Sequence, residues 1–261
     1  MQLNPAIYTF VALLGLAVGS FLNVLIYRLP RNKKIIFGRS ACPHCGKTIP
    51  FYHNIPLISF LILGGKCREC RRPISFRYPL VEFLNPAFFV YFLYLDGLTG
   101  AWLAHAYLAS SLIVIIFVDL EFQIIPDRIT IPGIAVGLLS AIFLSPPGIV
   151  GGLIGFLVGG GTLLAMAYLG EWLFKKQAMG GGDIKMAAML GAFVGWQKVL
   201  LIFMGGAAIG MVASIVWMIV SKKVRTERII PFGPFLAMAS FIVVAYGDPI
   251  MTFYVANFLT R

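Results

Sequence analysis

The chain has 261 residues, of which 59% are hydrophobic and only 12% charged, with 28 glycines in addition. A soluble domain carries about 25% charged residues, so a water-covered globule, a disordered chain and a disulfide-stapled secreted scaffold are all excluded. The formal net charge of +11 fits nucleic-acid binding or a membrane topology signal, and the placement of the basic residues decides between them.

Spanning a bilayer core of about 30 Å takes about 20 apolar residues of helix. In chain order, apolar runs fall at 7–27, 80–96, 100–118, 129–145, 149–170, 186–203, 204–221 and 233–258. They are too long for membrane-barrel strands, and none alternates with period two. The expected fold class is an all-α polytopic membrane protein of about eight transmembrane helices, with a cytoplasmic zinc-binding loop between helices one and two. Residues 1–28 form the first transmembrane helix, 29–79 the loop and 80–261 the helical membrane domain. The first run has no basic residue before Arg28, so it reads as a membrane helix with its N-terminus outside, not as a cleaved signal peptide.

Basic residues cluster from Arg28 to Arg77, then recur at Arg128, at Lys175, Lys176 and Lys185, and at Lys222, Lys223, Arg225 and Arg228. With eight alternating spans, all of these lie on one side, and only Lys198 and Arg261 fall opposite. Excess Lys and Arg mark the cytoplasmic face, which places both termini outside. The charge is thus mainly a topology signal with a secondary attraction to lipid headgroups, and nucleic acid is not expected as a partner. Gly151, Gly155 and Gly159, Gly15 with Gly19, and Gly206 with Gly210 repeat at helical spacing and read as close-packing positions between helices in lipid.

All four cysteines lie in the polar loop, as Cys42-Pro-His-Cys45 and Cys67-Arg-Glu-Cys70. Two C-x-x-C knuckles at this separation predict a structural zinc ribbon. Thiolates are soft ligands that deprotonate on binding, and four of them leave no open position for water. A redox dithiol is the alternative reading, although disulfides rarely persist in the cytoplasm. His44 and His53 read as ordinary loop residues.

Ionisable residues at membrane depth are functional candidates. Asp119 ends the third run and Asp183 follows Gly180-Gly181-Gly182 ahead of the sixth. Both sit at cytoplasmic ends of spans. A facing carboxyl pair shares a proton, so one member can activate a water while the other protonates the substrate. That is aspartic-protease chemistry, and an ion- or proton-coupled membrane transporter using the same carboxylates reads equally well. Asp127, after Pro126, is expected to cap a helix. Glu121 is expected to be solvated, Asp96 and Asp248 to sit in outer turns, and Lys185 to be a juxtamembrane anchor.

Six segments, in order, resemble one family. They are Gly19-Ser20-Phe21-Leu22-Asn23-Val24 with Tyr27-Arg28-Leu29-Pro30, the tetracysteine loop with Asn54-Ile55-Pro56, Arg77 to Glu82, Asp119 to Asp127, Gly180 to Lys185, and Pro231-Phe232-Gly233-Pro234. The chain is similar to type IV prepilin peptidases, the leader peptidases and N-methyltransferases of type IV pilus and type II secretion systems. The resemblance implies an intramembrane aspartyl endopeptidase of the bacterial inner membrane with Asp119 and Asp183 as its catalytic pair. It implies prepilin and pseudopilin substrates whose basic leader is cut after a glycine, and methylation of the new N-terminus from S-adenosylmethionine. The acidic site would attract such a leader. No glycine fingerprint for the methyl donor is present. Glu82 and Asn23 read either as contributors to methylation or as intramembrane polar packing.

Overall fold

The computed structural model describes residues 3–35, 38–145, 147–175, 179–220 and 231–259. Lys176, Lys222, Lys223, Arg225, Arg228 and Arg261, part of the basic pattern, lie outside the described residues. Nine α-helices are described: α1 (Pro5–Arg28), α2 (Ile58–Ile62), α3 (Arg77–Asp96), α4 (Gly100–Phe122), α5 (Asp127–Ser140), α6 (Gly148–Phe174), α7 (Gly181–Val194), α8 (Trp196–Val220) and α9 (Gly233–Tyr254). The chain divides into two compact units, residues 1–114 and 115–261.

Six of the described helices are long and apolar enough to cross a membrane: α1, α3, α4, α6, α8 and α9. Eight were expected. The other two, α5 and α7, have 14 residues each, which is about 21 Å at 1.5 Å per residue and short of the bilayer core. The expected break near residue 203 is instead at Gly195, whose φ of +81° ends α7. Glycine adopts this conformation without a Cβ penalty, so the apolar run from 186 to 220 divides nine residues earlier than hydropathy alone suggests.

In the first unit α1 packs on α3 through Gly15 and Gly19. A Cβ added at Gly15 would stand 2.6 Å from the Cα of Pro86, and one at Gly19 would stand 3.1 Å from the Cα of Glu82. The same close approach allows buried polar bonds. Asn85 donates to the Gly15 carbonyl at 2.9 Å, and the Ser110 hydroxyl donates to Asn85 Oδ1 at 2.9 Å.

In the second unit α7 is the axis. Every residue from Met186 to Val194 is buried, and α7 touches α5, α6, α8 and α9. Glycines let the backbones meet, as expected from their spacing. A Cβ at Gly191 would fall on the Gly155 carbonyl oxygen, and one at Gly159 on the Ala187 carbonyl oxygen. Gly206 and Gly210 serve α9 in the same way, at Leu236 and Phe235. Gly151 meets only Pro147, just before its own helix.

Candidate active site and metal centre

Asp119 lies three residues before the end of α4 and is 5% exposed. Asp183 is the third residue of α7. Both lie in the second unit, and three glycines and one isoleucine link their surroundings. A Cβ added at Gly233, the first residue of α9, would lie 2.5 Å from Asp119 Oδ2 and 3.1 Å from Ile125 Cδ1. One at Gly182 would lie 2.8 Å from Ile125 Cβ, and one at Gly180 3.0 Å from Asp183 Oδ2. Ile125 is therefore wedged between the glycine turn before Asp183 and the start of α9 beside Asp119. A Cβ added at Gly181, between the two constrained glycines, would meet nothing within 4 Å among the described residues. Asp183 Oδ1 is buried and has no hydrogen-bond partner among the described residues. Gly233 was not picked out from sequence as a neighbour of Asp119. The P-F-G-P run was the available signal, but nothing in it says which side chain the glycine makes room for.

Of the other carboxylates, Asp127 and Asp248 are placed differently from expectation. Asp127 is the first residue of α5 and not its cap. Pro126 takes the capping position, with no side-chain bond to the helix end. Asp127 instead forms an ion pair with Lys185 at 2.7 Å, so Lys185 ties the start of α7 to the start of α5. Glu121 is exposed. Asp96 ends α3 and pairs with His105 at 2.7 Å. Asp248 lies inside α9, not in a turn, and pairs with Lys198 at 2.8 Å.

In the first unit the four cysteine sulfurs lie within 4.8 Å of one another, and Cys42 and Cys70 Sγ are 3.9 Å apart. Tetrahedral zinc with bonds of about 2.3 Å sets its sulfurs about 3.8 Å apart, so the four thiols fit the ion. The two knuckles repeat the same backbone pattern. Cys42 N–H donates to Lys47 O at 3.0 Å and Gly46 N–H to Cys42 O at 2.9 Å, while Cys67 N–H donates to Arg72 O at 2.9 Å and Arg71 N–H to Cys67 O at 3.0 Å. Isolated bridges Ala41–Thr48 and Lys66–Pro73 close the turns. Backbone N–H groups of Cys70 and Glu69 bring the Cys67 thiol down to about 7, which favours the thiolate a metal needs. Lys47 and Glu69 bridge the knuckles at 2.7 Å. His44 and His53 are outside the cluster. His53 Nε2 faces Arg68 at 2.8 Å.

Glu82 and Asn23 line a cavity of the first unit. Glu82 Oε2 accepts the Leu57 N–H at 2.8 Å, and Asn23 Nδ2 donates to the Tyr78 carbonyl at 3.1 Å.

Fold and sites together define a multi-pass, all-helical membrane protein with a tetracysteine cluster and two aspartates at helix ends, Asp119 buried and Asp183 half-buried. A family model described as Bacterial Peptidase A24 N-terminal domain matches residues 13–95, and one described as Type IV leader peptidase family matches residues 106–215. A prepilin leader peptidase/N-methyltransferase of Myxococcus xanthus is 39% identical over 227 residues, covering 86% of this chain and 68% of that protein. Proteins of the same name from Aeromonas hydrophila and Pseudomonas aeruginosa are 34% and 35% identical. The first alignment covers 97% of this chain and 95% of its relative, the second 93% and 91%. No solved structure matches. The chain belongs to the type IV leader peptidase family, and the transporter reading finds no support among these relatives.

Proposed function

We propose that this protein removes the leader peptide of type IV prepilins and N-methylates the residue it exposes, with Asp119 and Asp183 as the peptidase pair. The observation that supports the peptidase reading is that Ile125 bridges the glycine beside Asp119 and the glycine turn beside Asp183, where a Cβ would crowd the site. Neighbouring carboxyls share one proton. The ionised member takes a proton from water as its oxygen attacks the scissile carbonyl, and the protonated member donates to that carbonyl oxygen. Collapse of the tetrahedral carbon then breaks the C–N bond, and a proton passes to the leaving amine. The glycine turn before Asp183 leaves room for an extended substrate strand beside the pair.

The four cysteines would hold zinc as a structural ion, folding a loop too small and polar for a core of its own. S-adenosylmethionine is the methyl donor in this reading, supported by the relatives' N-methyltransferase name. Pseudopilins are further substrates, the location is the bacterial inner membrane, and both termini lie outside the cytoplasm; the basic pattern supports this with α5 and α7 counted as crossings beside the six longer helices. Residues 80–261 then form the peptidase domain.

The test is incubation of purified protein in detergent with a prepilin and S-adenosylmethionine, scored by mass spectrometry. The expected product is cut after a glycine and is one methyl heavier at its new N-terminus. Intact prepilin together with cation flux in proteoliposomes would replace it with the transporter.

A further inference from the structure

The loop between α1 and α3 carries a short helix, α2, whose outer face is apolar. Leu61 and Ile62 are 76% and 74% exposed, and Ile58, with Ile55 just before the helix, is exposed beside them. Residues three and four apart share one face of a helix, so these side chains form one stripe. The opposite face meets the protein. Ser59 is buried, its hydroxyl accepts the Ile55 N–H at 3.0 Å, and the Phe60 ring would lie 3.1 Å from a Cβ at Gly65. In water such a stripe is unfavourable, because apolar surface gains by leaving water.

The start of α2 is pinned to a membrane helix. The Leu57 N–H donates to Glu82 Oε2 at 2.8 Å. Glu82 lies five residues into α3 from Arg77, about 7.5 Å along the axis at 1.5 Å per residue. Arg and Tyr side chains such as Arg77 and Tyr78 sit at the membrane–water boundary. Leu57 is therefore held nearer the bilayer centre than they are, within the depth of about 5–10 Å at which interfacial helices bury their apolar face. Leu57 also sits in a γ-turn, with φ +60° and ψ −48° and the Ile58 N–H donating to Pro56 O at 2.6 Å. A residue with a side chain keeps this conformation only where its surroundings dictate it, so the direction of α2 is fixed.

Two further observations say what covers the stripe. The exposed face of α3 runs from Phe83 to Phe76, two turns earlier, so a lipid-facing apolar surface reaches the same level. Lys66, in the turn that follows α2, and Arg71 and Arg72, in the knuckle beyond it, are exposed. Basic side chains beside an apolar stripe match phosphate headgroups, and they repel a second copy of a chain of net charge +11.

We propose that α2 is an interfacial anchor, with Ile55, Ile58, Leu61 and Ile62 in the acyl chains of the leaflet at the Arg28 and Arg77 ends of α1 and α3, and Lys66 among its headgroups. The occupant of the stripe is lipid. The cysteine loop is then held on the membrane by its own helix as well as by its two ends. The cavity that Ser59, Phe60 and Leu63 line from the inner face of α2 lies at the membrane surface. This anchor does not depend on the peptidase reading.

The test uses full-length protein in nanodiscs of phosphatidylethanolamine and phosphatidylglycerol. A genetically encoded fluorescent residue replaces Leu61 or, as a control, Arg71. The quenchers are lipid with a nitroxide near the carboxyl end of its acyl chain, and aqueous iodide. The Leu61 probe is expected to be quenched by the nitroxide lipid and to be at least about fivefold less accessible to iodide than the Arg71 probe, as for a side chain below the headgroups. Equal iodide quenching at the two positions overturns the anchor. Protection from iodide without quenching by the nitroxide lipid also overturns it, because protein then covers the stripe. If the probe variants do not fold, wild type in nanodiscs containing phosphatidylglycerol with a photoreactive acyl chain decides by mass spectrometry. Lipid adducts on residues 55–62 support the anchor, and adducts confined to the long helices overturn it.

Discussion

Gly233 offers a sharp test of how the aspartate pair is built. Replacing it with alanine puts a methyl group 2.5 Å from Asp119 Oδ2 and 3.3 Å from Asp119 Cγ. Non-bonded heavy atoms prefer separations of about 3.5 Å or more, so the carboxyl must retreat by roughly 1 Å. Ile125 blocks one retreat, since its Cδ1 would be 3.1 Å from the same methyl. Misplacing a reacting group by about 1 Å costs on the order of a hundredfold in rate. The added volume itself costs about 1–3 kcal/mol of stability. The assay is the initial rate of prepilin cleavage by Gly233→Ala and by Gly161→Ala, with melting temperatures for both. A Cβ at Gly161, within α6, would meet nothing within 4 Å among the described residues, so its alanine variant is expected to cleave within about threefold of wild type, the range of an ordinary surface change. Cleavage by a folded Gly233→Ala at the wild-type rate would refute the close approach of α9 to Asp119.

Further consequences concern stability and the metal. Gly191→Ala drives a methyl group into the Gly155 carbonyl, so α6 and α7 must part, and a loss of at least about 1–3 kcal/mol is expected in thermal unfolding. A wild-type melting temperature would contradict the backbone contact. Lys185→Met removes a pair whose side chains are 43% and 53% exposed. Screening by solvent limits the loss to about 0–1 kcal/mol, and a shift in unfolding free energy beyond that range would mean the pair is buried in the lipid-embedded protein. Cys67→Ser is expected to abolish zinc retention, measured by metal analysis after purification without chelator. With the Cys67 thiol at about 7, the metal-free loop carries the thiolate above that pH and loses it below. Its apparent zinc affinity should therefore fall about tenfold per unit below pH 7 from this ligand alone, and a flat titration from pH 8 to 5.5 would contradict the ligand set.

Local chemistry made much of this molecule legible in sequence. The cysteine knuckles are short-range, and their ligands fold within a few residues of one another, so the cluster follows from the spacing. The glycine repeats likewise predicted helix faces that pack closely, because small residues at a four-residue spacing always share one face. Hydropathy failed where it averages over a break. It cannot register that Gly195 turns the chain, nor that α5 and α7 are too short to span a bilayer alone. Asp127 was misread because its nearest local role, capping, competed with a partner 58 residues away, Lys185. The approach of Gly233 to Asp119 and the bond from Leu57 to Glu82 join distant stretches of chain, and no periodicity encodes them.

The most direct measurement is leader removal from a prepilin by purified Asp119→Asn and Asp183→Asn, each shown to be folded by its melting temperature. Asparagine keeps the shape and removes the proton chemistry, so each variant alone should lose at least about a thousandfold in rate, as when one member of a catalytic unit is removed. Wild-type cleavage by either folded variant would contradict the assignment of this pair as the peptidase centre.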